Sequence, residues 1–178
     1  MFCTQDMFAA GSETLATAIE WVLVELVKNP MAMKRVMVEV CSVLSSHSTV
    51  TEEALGELRY LQLVIRETFR LHPPIPLLLP RLASEPCRVL GYDMPQGHHG
   101  SDFEFLPFGA DRRICPGMMF GLANVELPLA SLLFHFDWEA PGMADPAEIN
   151  MTEMFGATVG RKGGLLLRPI IRVPVPGA

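Results

Sequence analysis

Residues 105–120 read FLPFGADRRICPGMMF, and the reading of that stretch decides the rest of the chain. A single cysteine, Cys115, follows a loop rich in glycine and arginine and precedes Pro116. Proline suits the first helical position, because its fixed φ is already helical and its missing N–H would have had no partner there. Cys115 is therefore the expected helix cap, with the backbone N–H groups of Gly117 and Met118 turned toward its sulfur. Their positive potential, with Arg113 two residues earlier, favours thiolate over thiol. Such a group is a metal ligand or a nucleophile. For the loop alone, a buried inert thiol is an equally good reading, since free cysteine is among the most buried residue types.

The composition narrows the alternatives. The chain has 178 residues, 49% of them apolar, enough for a hydrophobic core. The formal charge is −6, and no basic run is longer than a pair such as Arg112 and Arg113, so nucleic acid is not an expected partner. Cysteines at 3, 41, 87 and 115 form no CxxC pair and have no zinc-type spacing with histidine. Apolar stretches are interrupted by charges, as between Glu20 and Lys28, so no bilayer span is expected.

Outward from the cysteine, the pattern is mostly helical. Phe8, Leu15, Ile19, Val22, Leu23 and Leu26 recur at helical spacing up to Lys28. The chain enters this helix almost at once, as if partway along it. Asn29-Pro30 should cap and open a second helix, striped by Met33, Val36, Met37, Val40 and Leu44. Thr51 followed by Glu52 and Glu53 signals a short third helix. A fourth is expected over 58–72, closed by Pro73-Pro74, because a residue before proline is pushed out of helical geometry. RVLGYDMPQG, 88–97, has strand residues around a turn; a helix is expected over 116–136; and GGLLLRPIIRVPVP, 163–176, predicts a strand pair with prolines at its edge.

Two short motifs each have an ordinary reading. In AGSETL, 10–15, Ala10 and Gly11 keep one helix face low, and Thr14 lies on that face. The ordinary account is a packing glycine beside another helix, with Thr14 hydrogen-bonding back to Ala10. In ETFR, Glu67 and Arg70 at i, i+3 share a face, as any solvated surface ion pair would.

Their order is what carries information. Phe108, Arg113, Cys115 and Gly117 stand at the offsets of the haem-binding signature of the cytochrome P450 family. AGSET, then ExxR followed by LHPPIPLLLPR, then FxxxxRxCxG and an apolar helix is that family's order, so the whole chain resembles it. Asp111 stands where the family usually has glycine.

The resemblance implies a fold that is mainly α with small β-sheet elements, the C-terminal part of the P450 fold as a single partial domain over 1–178. Within it, 1–28 would be the remnant of the oxygen-binding helix and 105–117 the haem-thiolate loop. It implies a haem-dependent monooxygenase that inserts one oxygen atom from O2 into an apolar small molecule, with haem b ligated by the Cys115 thiolate. Phe108 and Gly117 would flank the haem, Arg81 and Arg113 would pair with its propionates, and Glu13 and Thr14 would deliver protons. Glu67 and Arg70 would be structural, and Ala10, Ile75, Leu79, Phe155 and Ala157 would line the substrate pocket. Electrons would come from an NADPH-dependent reductase; the family sits on the endoplasmic reticulum membrane through an N-terminal anchor, and a chain expected to lack that anchor would be cytosolic. The wording HPPIPLLLPR and EMFGATVGRK is most similar to the large plant-type group acting on specialised metabolites.

The resemblance covers less than half of a typical member, and between Gly97 and His98 it lacks a stretch that would supply a third partner to Glu67 and Arg70. A catalytically inactive remnant or interaction protein that keeps no haem is therefore a second expectation. A cysteine-nucleophile hydrolase pairing Cys115 with His47, His72, His98, His99 or His135 is a third, without a recognisable base motif.

Overall fold

The computed structural model describes residues 2–45, 50–79, 81–82, 85–89, 91–94, 99–100, 107–109, 114–142, 145 and 148–175; within it the side chains of 2–7, 52, 81–82, 87, 89, 92, 94 and 99–100 are left out of account. Five helices lie among the described residues: α1 (Phe2–Lys28), α2 (Pro30–Leu44), α3 (Glu52–Leu55), α4 (Arg59–Leu71) and α5 (Met118–His135). Eight short strands, β1 (Arg81–Leu82), β2 (Cys87–Val89), β3 (Tyr92–Met94), β4 (His99–Gly100), β5 (Phe136–Glu139), β6 (Glu153–Phe155), β7 (Val159–Arg161) and β8 (Arg168–Ile171), form antiparallel pairs β1–β4, β2–β3, β5–β8 and β6–β7. The architecture is mainly helical with small sheets, as the sequence predicts.

The apolar stripes read from the sequence meet in one core. Val22 and Leu26 of α1, Val36, Val40 and Leu44 of α2, Leu61 and Ile65 of α4, and Val125, Leu129 and Leu133 of α5 are almost wholly buried against one another. Each large aliphatic side chain removed from water contributes about 1.5–3 kcal/mol, so this four-helix junction is the main source of stability. α5 is long and apolar enough to cross a membrane by length and composition, contrary to the expectation of no such segment. Its packing against α1, α2, α3 and α4 makes it the central helix of the core.

Helix ends show where local signals were overridden. Thr51 caps α3 as expected, its Oγ1 accepting the Ala54 N–H at 3.4 Å. Asn29 precedes α2 but makes no side-chain cap to it. Its Nδ2 instead donates back to the Glu25 carbonyl at 2.8 Å and to Glu25 Oε2 at 3.1 Å, closing the end of α1. α4 has no cap of its own, and a carboxylate from α2 serves: Glu39 accepts the N–H groups of Tyr60 (2.8 and 3.0 Å) and Leu61 (3.0 Å). The positive end of the helix dipole favours an anion at that place.

The C-terminal segment is not a strand pair. β8 is one strand, paired with β5 in the register Phe136↔Ile171 to Glu139↔Arg168. β5 follows α5 directly, so its strand partner must come from elsewhere in the chain. Arg172, just beyond β8, donates from its guanidinium to the carbonyls of Leu133 and Phe134, which α5 leaves unpaired at its C-terminus.

Candidate functional site

The loop around Cys115 is closed by its own backbone. The Cys115 N–H donates to the Phe108 carbonyl at 2.8 Å, and the Met118 N–H donates to the Cys115 carbonyl at 3.3 Å. The cap position of α5 is Gly117, two residues later than the sequence suggests, with Pro116 in the preceding turn. The Met118 N–H is therefore spent on the Cys115 carbonyl rather than turned to the sulfur. Cys115 is a free thiol and exposed, not the buried inert cysteine that was the alternative. A Cβ built on Gly117 would stand 3.8 Å from Sγ, so a longer side chain there would begin to cover it.

Phe108 anchors this loop. Its ring meets Phe69 of α4 edge to face, centroids 5.6 Å apart, and lies against Gly121 on the first turn of α5, where a Cβ would approach it to 3.6 Å. Phe69 sits between Glu67 and Arg70 in sequence, so the loop is packed onto the helix carrying the ExxR pair. Glu67 and Arg70 form a bidentate pair, with Nε to Oε2 at 2.8 Å and Nη2 to Oε1 at 2.5 Å, and both side chains are more than half exposed. The hydrogen bond and charge of Arg70 hold the Glu67 carboxyl below the usual range, and Glu67 in turn holds Arg70 above its own. Arg113 and Asp111 lie outside the described residues, as does the junction at Gly97 and His98. Arg81 begins β1, opposite Gly100.

A second group of the expected residues lies along α1. Glu13, Thr17, Trp21 and Glu25 recur every four residues and so form one stripe. That stripe faces the β6–β7 turn: Thr158 Oγ1 donates to Glu13 Oε1 at 3.1 Å and shares a 3.1 Å hydrogen bond with Thr17 Oγ1, while Trp21 Nε1 donates to the Val159 carbonyl at 3.0 Å. The Val159 N–H donates to the Pro74 carbonyl at 2.8 Å. The segment with Ile75 and the turn with Ala157 are thereby drawn together beside Glu13. Leu78, between Ile75 and Leu79, has φ 57°, the sole positive φ of a non-glycine residue among those described. Thr14 donates back to the Ala10 carbonyl at 2.5 Å, the ordinary arrangement for a threonine within a helix.

Beyond these contacts the site faces outward. Ala10 is exposed, and nothing lies within 4 Å of a Cβ built on Gly11. Leu79 and Phe155 are exposed, as are Ile114, Met119 and Phe120 around Cys115 and Phe8 near Ala10. A free thiol among exposed apolar side chains suits a flat, mostly apolar, thiol-ligated macrocycle such as haem. An open groove of about 470 Å³ between α1 and β5, lined by Ile19, Leu23, Trp138 and Leu165 among others, contains none of the site residues expected from the sequence.

Sequence reasoning missed Trp21, Glu25, His72 and Glu39 as organising residues. The four-residue spacing from Glu13 to Glu25 was legible. Their partners on β6, β7 and the 72–74 segment were not, because nothing local ties residue 21 to residue 159.

Comparison with known proteins agrees with this architecture. The Cytochrome P450 family model matches residues 1–99 and 96–167, in two pieces that meet near Gly97. The desmethyl-deoxy-podophyllotoxin synthase of Sinopodophyllum hexandrum is 44% identical over 93% of this chain and 39% of its own length. Germacrene A hydroxylase of Tanacetum parthenium is 43% identical over 92% of this chain and 41% of its own, and cytochrome P450 71D10 of Glycine max 41% identical over 96% and 40%. The first of these alignments runs over 200 residues while using 93% of the 178 here, so that relative carries residues with no counterpart in this chain. The chain thus spans about two fifths of the length of the curated relatives it matches. A zebrafish cytochrome P450 solved with abiraterone shares the fold, at a TM-score of 0.81 and 22% identity over 94% of this chain and 46% of that one. With the family model covering most of its length and plant relatives above 40% identity, the chain belongs to the cytochrome P450 family, in its plant-type group.

Proposed function

We propose that this chain carries the haem-thiolate loop and the oxygen-activating helix of a monooxygenase that hydroxylates an apolar small molecule. The observation that supports this most is the exposed Cys115 thiol on a loop closed by its own backbone and fixed through Phe108 to α4 and α5. In this reading Cys115 is the ligand to iron, Phe108 packs beside the proximal face, and Arg113 and Arg81 pair with the propionates of haem b. When bound, haem supplies the activation of O2, using electrons from an NADPH-dependent reductase.

The protein's own residues orient, exclude water and move protons. Glu13 accepts from Thr158, which leaves its second carboxylate oxygen to take and pass a proton, and Thr14 holds a hydroxyl one residue further along α1. Ala10, Ile75, Leu79, Phe155 and Ala157 would contact substrate. Relatives named germacrene A hydroxylase and tabersonine 16-hydroxylase support a small-molecule substrate that takes up a hydroxyl group. The plant-type group also supports a place at the endoplasmic reticulum membrane.

The test is spectroscopic. Haem added to the purified chain, reduced and exposed to carbon monoxide, should give the Soret band of a thiolate-ligated ferrous carbonyl, and Cys115→Ala should abolish it. A folded chain with no such band overturns the proposal in favour of a remnant that keeps no haem, and a band unchanged in Cys115→Ala overturns Cys115 as the ligand.

A further inference from the structure

We infer that His72 is a positioning residue that holds both pocket-lining segments against the Glu13 side of α1; only the description of those segments as pocket-lining rests on the function proposed above. The imidazole lies flat on Trp21, ring centroids 3.8 Å apart and planes 1° from parallel. Its Nε2 is 2.8 Å from Glu25 Oε1, and its Nδ1 is 3.8 Å from Glu153 Oε1. The side chain is 12% exposed, and Nδ1 is buried with no hydrogen-bond partner.

These contacts close a ring of constraints. His72 ends α4 and leads into Pro73-Pro74. Pro74 accepts from the Val159 N–H, Val159 accepts from Trp21, and Trp21 stacks on His72. Each of the three elements, α1, the 72–79 segment and the β6–β7 hairpin, is thereby held by the other two. Thr158, next to Val159, then bonds Glu13 and Thr17. Loosening His72 frees the turn that carries Ala157 and the segment that carries Ile75 and Leu79, without touching any atom proposed to meet the cofactor.

Carboxylates face the ring from two elements, Glu25 from α1 and Glu153 from β6; on β7, Arg161 is turned to Glu20, 3.6 Å away. The imidazole thus sits between α1 and β6 at the end of α4, with its flat face on the indole.

The experiment uses the 178-residue chain with Trp138→Phe, which leaves Trp21 as its single indole. In His72→Ala the Trp21 emission maximum should move to longer wavelength, because removing the stacked ring admits water to an indole that is otherwise fully buried. In His72→Ala, the Val159 amide should exchange with solvent about tenfold faster than in the parent, while the core amides of Val36 and Val40 do not change. An unchanged Val159 rate in His72→Ala, or a Trp21 emission maximum that does not move, overturns the inference. If His72→Ala does not fold, His72→Gln is read by the same two measurements. Haem uptake is followed separately: a chain that binds haem with Val159 exchange unaltered by the substitution overturns the role of His72 alone, and one that binds none while exchange accelerates overturns the proposed function alone.

Discussion

Phe108 and Phe69 stand edge to face with centroids 5.6 Å apart, and through them the cysteine loop rests on the helix of the ExxR pair. Such a pair adds about 0.5–1.5 kcal/mol to what burial alone contributes. It also couples two motifs that sequence separates by some forty positions, about the spacing from residue 69 to residue 108. This contact, with the packing of Phe108 against Gly121, ties the loop to α4 and α5.

Phe69→Ala should destabilise the chain by about 3–4 kcal/mol in urea unfolding, since Phe69 is almost fully buried and its loss leaves a cavity. Phe108→Ala should cost less, its ring being only half-buried, but should raise the rate at which Cys115 reacts with a thiol reagent. Equal costs for the two, or an unchanged Cys115 reactivity, would mean that the loop is held by something other than this pair.

Glu39 closes the start of α4 from α2, and three short hydrogen bonds converge on its carboxylate. Glu39→Ala leaves those N–H groups without a partner and should cost about 1–2 kcal/mol, the range of a lost helix cap. Glu39→Gln keeps an acceptor and loses the charge that favours the helix dipole, so its cost should fall between the two. Urea midpoints of the three proteins at one pH measure the order.

Burial pushes the Glu126 carboxyl on α5 up, with Arg66 of α4 partly opposing it. A carboxyl raised on folding contributes its stability in the protonated state: the contribution is whole below the ordinary glutamate value and is lost as pH rises through the folded one. At neutral pH, Glu126→Gln should therefore be at least as stable as the parent, and the difference should vanish as pH falls below the ordinary carboxylate range. A Glu126→Gln chain less stable than the parent at neutral pH would show that the pairing with Arg66 outweighs desolvation.

Much of the helical frame was legible because its signals are local. The stripe at Val22 and Leu26, the one at Val36, Val40 and Leu44, and the stop at Pro73-Pro74 each depend on residues within a turn or two of one another. Capping was less legible. Asn29 has a cap residue's chemistry but is drawn back to Glu25, and α4 takes its cap from a residue twenty-one positions away. The motif residues were legible as a pattern, while the stack of Trp21 on His72 and the tie from Glu13 to Thr158 were not.

By itself, the sequence determined which stretches are helical, where prolines end them, and that Cys115 leads a helix in a P450-like motif order, because those properties follow from periodicity and spacing along the chain. Only the tertiary structure decided that β8 pairs with β5, that α5 is the core helix, that Cys115 is exposed two residues before its helix cap, and that α1 turns a polar stripe onto the β6–β7 hairpin. The reason is physical: each of these depends on groups that are distant in sequence finding partners in a shared interior, and the strength of such a partnership is set by burial and by what else competes for the same hydrogen bonds.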